Sequence, residues 1–345
     1  MLMKKEVITP EVTIYDIASH LGLASSTVSR ALQNNPIINK NTRKKIAAAA
    51  EELGYRRNNY AVNLRTQRTR TIGIIVHELK SHFITSVLAG IGQVAAQSGY
   101  DIIIGYSAES VVKEAANARN FFHKRVDGVI ASLAMDTADL SHFQPFQDKN
   151  IPLVFFDRAE DQPNSTMVVI DNTRCGYEAT HHLAQRGCRR IALVTGNRKR
   201  NVYEQRYQGY LQALSDNDIP FREELVMIND LDEKGGMQAA ETILNMKDRP
   251  DGIFITNDFA AAVCMRQLQD AGIRIPEDIA VVGFNDDNIC KLVNPQLTTI
   301  HYPGKEMGEI AARNLIDHLD GVTSISNASR IIVRSQLVIR ESSLH

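Results

Sequence analysis

The chain has 345 residues, with 39 Lys and Arg against 40 Asp and Glu, for a formal net charge of −1. That length exceeds what one domain normally holds, and 43% hydrophobic residues suffice for a sizeable core. Near-neutral charge argues against a wholesale polyanion binder, and the absence of a long unbroken apolar run argues against a membrane span.

Met1-Leu-Met-Lys-Lys5 is followed by no apolar stretch of the secretory type, so a cytoplasmic protein is expected. Cys175, Cys188, Cys264 and Cys290 show no C-x-x-C spacing, which favours buried free thiols over zinc or redox chemistry.

The first element is a short amphipathic helix carrying Ile14, Ile17, Ala18 and Leu21 at i, i+3, i+4 and i+7. Gly22 follows where the chain must turn, and a second helix is expected from about Ser25 to Leu32, with Val28, Ala31 and Leu32 inward. A small residue at Ala18, a glycine turn and an apolar Val28 fill the slots of a helix-turn-helix. The outward face of the second helix offers Ser25, Ser26, Thr27, Ser29 and Arg30, groups suited to phosphates and base edges. A third helix follows, with Asn39 or Asn41 as N-cap, Ile46, Ala49, Ala50 and Leu53 inward, and Gly54 at its end.

Helix pairs of this size also occur in proteins that never meet DNA, so charge by segment decides. Residues 1–70 hold twelve Lys and Arg against five Asp and Glu, a net of +7, which leaves −8 on residues 71–345. The positive segment is the one with the helix-turn-helix, the footprint expected for phosphate neutralisation.

From Thr71 onward, short apolar runs alternate with helical segments. The runs are Ile72–Val76, Asp101–Gly105, Val126–Ile130, Pro152–Phe156 and Val168–Ile170, then Arg190–Val194, Leu225–Ile228, Asp251–Ile255 and Ile279–Gly283. Such strands indicate parallel sheets covered on both faces, and two successive sets indicate two similar α/β lobes. Paired lobes of this kind hold ligands at the carboxyl ends of their strands. No G-x-G-x-x-G or G-x-x-x-x-G-K-[ST] phosphate loop and no nucleophile motif is found, so no enzyme and no cofactor is expected. His181 and His182 are adjacent and point to different sides of a helix, a poor metal pair.

Residues 12–64 resemble the DNA-binding head of the lactose-repressor (LacI/GalR) family. The resemblance rests on Val12-Thr-Ile-Tyr-Asp-Ile-Ala18, Thr27-Val-Ser-Arg30, Asn39 with Thr42-Arg43, Leu53-Gly-Tyr55, and Ala61 with Leu64. It implies that Ser25, Ser26 and Arg30 face bases in the major groove, while Thr13, Tyr15, Ser29, Asn39 and Thr42 position phosphates. It further implies a hinge from Asn58 to Leu64, with Ala61, Leu64 and Arg65 completing the DNA-binding set and Leu64 wedged into the central base step. Arg57 departs from the proline common in the family, adding charge but losing a fixed φ.

The body resembles type I periplasmic sugar-binding proteins, as the rest of that family does. The fold expected is therefore an all-α helix-turn-helix head plus an α/β body of two parallel-sheet lobes. The boundaries are 1–57 for the head, 58–70 for the hinge, 71–170 plus 299–328 for the first lobe, and 171–298 plus 329–345 for the second. Three crossings between lobes fall near Asp171, Thr298 and Ser329.

The effector residues implied are Phe83, Ile84, Asp157, Arg200, Asn201, Arg206, Leu231, Asn257, Asp258, Asn285, Asp286 and Tyr302. Asp157 and Asn257 also suit helix caps, and Arg198-Lys-Arg200 also reads as an exposed basic loop. Leu231 and Asn285 stand where relatives carry an aromatic and an aspartate. With Arg200 and Arg206 near, a positive cleft for a sugar acid or phosphorylated sugar is expected.

The function implied is a ligand-controlled transcriptional regulator, a repressor above all. Its partners are double-stranded DNA with a near-palindromic operator, a sugar or sugar derivative, and a second copy of itself, with no membrane. No heptad run follows Arg340, so a tetramerising helix is not expected. A solute-binding protein without a transcriptional role would share the body but not the basic head, and an α/β enzyme would need a catalytic constellation.

Overall fold

The structure, a computed structural model, describes residues 12–55, 68–160, 162–163, 165–325 and 330–344. The hinge candidates Ala61, Leu64 and Arg65, and the crossing expected at Ser329, lie outside the described residues. Two compact units divide between Thr69 and Arg70.

The first unit holds three helices: α1 (Ile14–Leu21), α2 (Ser25–Leu32) and α3 (Lys40–Glu52). Helix α1 starts where the Thr13 N–H and hydroxyl both donate to Asp16 Oδ2, at 2.8 and 2.7 Å. It ends at Gly22, whose φ of 63° is the left-handed conformation that glycine adopts without strain. Asn39 caps α3 by accepting from the Asn41 and Thr42 N–H groups, which settles the choice between Asn39 and Asn41. Ile17, Ala18, Val28, Ala31, Ile46, Ala49 and Ala50 form the core of this unit, the apolar set that the helical spacing picks out.

The second unit alternates strand and helix: β1 (Thr71–Val76), α4 (His82–Gln97), β2 (Asp101–Tyr106), α5 (Val111–Lys124), β3 (Gly128–Ala131), α6 (Gln144–Asp148), β4 (Leu153–Phe156) and β5 (Ser165–Ile170). It continues with α7 (Asn172–Gln185), β6 (Ile191–Thr195), α8 (Asn201–Asp216), β7 (Val226–Ile228), α9 (Glu233–Asn245), β8 (Gly252–Ile255), α10 (Asp258–Asp270) and β9 (Ala280–Asn285). The last elements are β10 (Thr298–His301), α11 (Gly304–Leu319), β11 (Arg330–Val333) and β12 (Gln336–Val338). The strands form two six-stranded sheets, ordered β11-β5-β4-β3-β1-β2 and β12-β10-β9-β8-β6-β7, and only β12 runs antiparallel. Each sheet is buried between helices, which is why its strands read as continuous apolar runs. No helix among the described residues is long and apolar enough to cross a membrane.

Two of the expected lobe boundaries shift. Residues 299–301, expected in the first lobe, pair as part of β10 with β9 in the second sheet. Arg330–Val333, expected in the second lobe, pair with β5 in the first. The chain therefore changes sheet at Asp171, between β10 and α11, and between β11 and β12. The later crossings fall elsewhere because β10 to β12 are strands of three or four residues whose sheet is decided by tertiary pairing rather than by any local signal.

Two contacts hold the second lobe where it meets the ligand side. Helices α7 and α8 approach so closely that a Cβ at Gly209 would be driven into the Thr173 carbonyl oxygen, and one at Gly176 into that of Arg206. Gly209→Ala is therefore expected to force the pair apart and cost roughly 1–3 kcal/mol, read as a lower urea midpoint at unchanged m. Asp258, at the start of α10, is fully buried and accepts from the Thr299 hydroxyl at 2.7 Å and the Asp287 N–H at 2.8 Å. Burial raises its pKa from 3.8 to about 6. The folded state thus holds a proton that the unfolded state releases, so this group's contribution to stability is full below pH ~4 and is lost as pH rises through ~6. Asp258→Asn is expected to remove a fall of about 3 kcal/mol between pH 4 and pH 7.5, and identical pH profiles for both proteins would contradict this.

Candidate functional site

The carboxyl ends of the strands of both sheets converge on a cleft of about 680 Å3. Among the expected effector residues, Phe83, Asp157, Arg206, Leu231, Asn257, Asn285 and Tyr302 line it.

Arg206, on α8, is 4% exposed. Its Nε donates to Asn172 Oδ1 at 2.9 Å and its Nη1 to the Thr256 carbonyl at 3.2 Å, while the guanidinium lies 3.5 Å over the Phe284 ring. Tyr302 stacks on Phe83 with ring centroids 4.0 Å apart and donates its hydroxyl to Asp157 Oδ1 at 2.8 Å. Burial pushes the Asp157 carboxyl up, and the Arg158 guanidinium and the Tyr302 bond oppose that shift. Asn257 accepts from the Ala260 N–H, so it caps α10 while also lining the cleft. Asp157, Leu231 and Asn285 have positive φ of 57°, 57° and 128°. Non-glycine residues held there cost about 1–3 kcal/mol each and concentrate at functional sites.

The other five expected effector residues do not line the cleft. Ile84 is fully buried in the core of α4. Arg200 is 5% exposed, donates to the Thr137 carbonyl and pairs with Glu160 at 3.4 Å. Asn201 donates to the Asp157 carbonyl at 3.2 Å, supporting the site from behind. Asp258 is taken up by Thr299 and Asp287. Asp286 accepts from Arg340 and lies 3.1 Å from His301 Nδ1, and those two groups hold its carboxyl low against the upward push of burial.

Sequence reasoning missed several lining groups: His77, Glu109, Arg158, Tyr203 and Phe259. Their signal was available, since His77, Glu109 and Arg158 follow β1, β2 and β4, and Tyr203 precedes Arg206 by one helical turn. Arg158 Nη1 donates to both Glu109 oxygens, at 2.8 and 2.7 Å, and its Nη2 donates across the cleft to the Tyr203 hydroxyl at 3.2 Å. His77 is 5% exposed, and burial, helped by the Arg158 charge, holds its imidazole well below its ordinary pKa and therefore neutral. At the mouth, His82 lies 3.3 Å from Asp287.

The expectation of a positive cleft is not met. Arg200 lies elsewhere, and Glu78, Glu109, Asp157, Asp230, Asp232, Glu233 and Asp287 line the cleft against Lys80, Arg158 and Arg206. Arg158 is neutralised by Glu109, so no cationic cluster remains to select a sugar acid or a phosphate.

On the head, Tyr15 is 69% exposed, and Ser26, Arg30 and Asn39 are exposed, with Ser25, Thr27, Ser29 and Thr42 partly so. Lys44 and Lys45 stand exposed on α3, and Arg43 reaches back to the Asn34 carbonyl.

A family model described as bacterial regulatory proteins, lacI family, matches residues 13–58, and one described as a periplasmic binding protein-like domain matches residues 180–343. The chain is similar to catabolite control protein A of Priestia megaterium, with 30% identity over 313 residues that make up 90% of this chain and 94% of the relative. It is 31% identical over 331 residues to the HTH-type transcriptional repressor PurR of Yersinia pestis (strain Pestoides F), covering 96% of each. Among solved structures, the lac repressor dimer bound to operator and the anti-inducer ONPF matches with a TM-score of 0.87 at 26% identity, over 97% of this chain and all of that one. The complex of the transcriptional regulator CelR with cellobiose matches with a TM-score of 0.72 at 28% identity, over 96% and 100%. With likeness running through both the helix-turn-helix head and the two-lobed body, the chain belongs to the lacI family of bacterial regulatory proteins, DNA-binding transcriptional regulators.

Proposed function

We propose that the protein is a repressor that binds near-palindromic operator DNA as a homodimer and is controlled by a neutral sugar or sugar derivative held between the lobes. The cleft carries this reading. It joins the planar donors and acceptors of Arg206, Asn285 and Asp157 to the Phe83–Tyr302 ring pair. Hydroxyl-rich rings need both an apolar face and groups that donate and accept in fixed directions. The cellobiose held by CelR is a ligand of this general type.

On the head, Ser25, Ser26, Thr27 and Arg30 supply base and nearby phosphate contacts, and Thr13, Tyr15, Ser29, Asn39 and Thr42 supply backbone contacts. Ala61, Leu64 and Arg65 act at the hinge. DNA and an inducing ligand then oppose one another through one coupling free energy, commonly about 1–3 kcal/mol. The self-association face lies on the body, where Ile104 and Tyr106 on edge strand β2, Val112 on α5, and Met237 and Leu292 leave apolar surface exposed.

Fluorescence anisotropy on DNA flanking the protein's own gene, at fixed salt and with a sugar panel, tests the reading. Specific binding released by one neutral sugar is expected, and no preference over random DNA under any ligand sinks it. Arg30→Ala should lower affinity and relax sequence preference, whereas Lys44→Ala should weaken all sequences alike and reduce the salt slope by about one. Leu292→Asp, at 82% exposed, should convert dimer to monomer in sedimentation and cost operator affinity in step.

A further inference from the structure

The first-lobe wall of the cleft holds one buried imidazole. His77 stands directly after β1, is 5% exposed and lines the cleft. Its Nδ1 lies 3.0 Å from the hydroxyl of Ser132, which is itself fully buried just past β3. The polar groups beside it are already matched with one another. Glu109 takes both its contacts from Arg158 and a third from the Met135 N–H at 2.9 Å, and the Glu109 N–H donates to the His77 carbonyl at 3.3 Å. Nε2 of His77, by contrast, makes no hydrogen bond to the described residues. A polar side chain this buried, oriented by a second group and left with one free nitrogen on a cleft, is built to meet a ligand.

Resting on the proposed ligand class, we propose that His77 is a specificity-determining residue, whose Nε2 hydrogen-bonds one ring hydroxyl of the bound polyol and so decides which epimer is accepted. The chemistry favours a hydroxyl over other partners. If Ser132 donates to Nδ1, Nε2 carries the proton and donates; if Nδ1 donates to Ser132, Nε2 accepts. A hydroxyl satisfies either tautomer, because it both donates and accepts, whereas a carboxylate fits only the first and an ammonium only the second. The buried, uncharged ring also gives no Coulombic reason to prefer an anion.

The test is calorimetry on the full chain with D-glucose, D-galactose, D-ribose and cellobiose, followed by the monodeoxy analogues of whichever sugar binds. His77→Phe keeps a ring and removes the nitrogen, and it is expected to weaken binding about tenfold or more, because a ligand hydroxyl is left buried without a partner. The decisive readout is a cycle. One deoxy analogue should bind the wild-type protein correspondingly more weakly than the parent sugar, yet bind His77→Phe as well as the parent does. His77→Gln should recover most of the affinity, and Ser132→Ala should lose part of it. If His77→Phe fails to give the wild-type melting transition, the cycle runs on Ser132→Ala. Unchanged affinity in the variants, or an equal loss across all deoxy analogues, overturns the role of His77 while leaving the ligand class standing. No binding of any of the four sugars to the wild-type protein overturns both.

Discussion

A guanidinium buried against an aromatic ring is the interaction on which the rest of the body depends. Arg206 is tolerable in the interior only because its nitrogens meet Asn172 and the Thr256 carbonyl and its face meets Phe284. Those three partners come from α7, the end of β8 and β9, so one side chain fixes the mutual placement of three elements. The glycine beneath it matters equally, since Gly176 lets α7 lie against the Arg206 carbonyl. From Phe284 the order passes edge-to-face to Tyr302 and then to the Asp157 carboxylate in the first lobe. One side of the cleft's polar geometry is thus a chain of contacts that starts at Arg206, while the buried Arg158 organises Glu109 and Tyr203.

Much of this was legible in the residues alone. Period-3.6 apolar spacing located all three head helices, and the nine expected strands of the body all exist, with ends shifted by a few residues. Positions at strand ends, such as Asp157 and Asn285, do reach the cleft because parallel strands point their carboxyl ends the same way. The misses share a cause in tertiary pairing. Arg200 looks like a ligand-binding cation until Glu160 and the Thr137 carbonyl are brought against it. Likewise, Glu109 and Arg158 are 49 residues apart in sequence, so nothing local announces that they cancel.

The head illustrates the opposite case, in which local rules suffice. Its turn glycine, its Asn39 cap and the Thr13–Asp16 bonds at the start of α1 are all short-range devices. A small core of mostly Ile, Val and Ala is enough because α1 and α3 start at side-chain caps and α1 ends at a left-handed glycine. Charge then separates the two parts of the chain more plainly than hydropathy does, since the surplus of Lys and Arg stops where the sheets begin.

The bonds that already join the lobes have a consequence for how the response is set. Arg158 to Tyr203, and Asn201 to the Asp157 carbonyl, draw the two sheets together through the protein's own side chains. A ligand that binds the closed arrangement therefore works against an equilibrium whose midpoint these bonds have placed, and its apparent affinity scales with the fraction already closed. Because Arg158 and Tyr203 also line the cleft, strengthening or loosening their bond moves the ligand concentration at which the protein responds and alters the surface the ligand meets. Asn201, which joins the lobes without lining the cleft, is the side chain through which the threshold can move while the ligand-facing groups stay as they are.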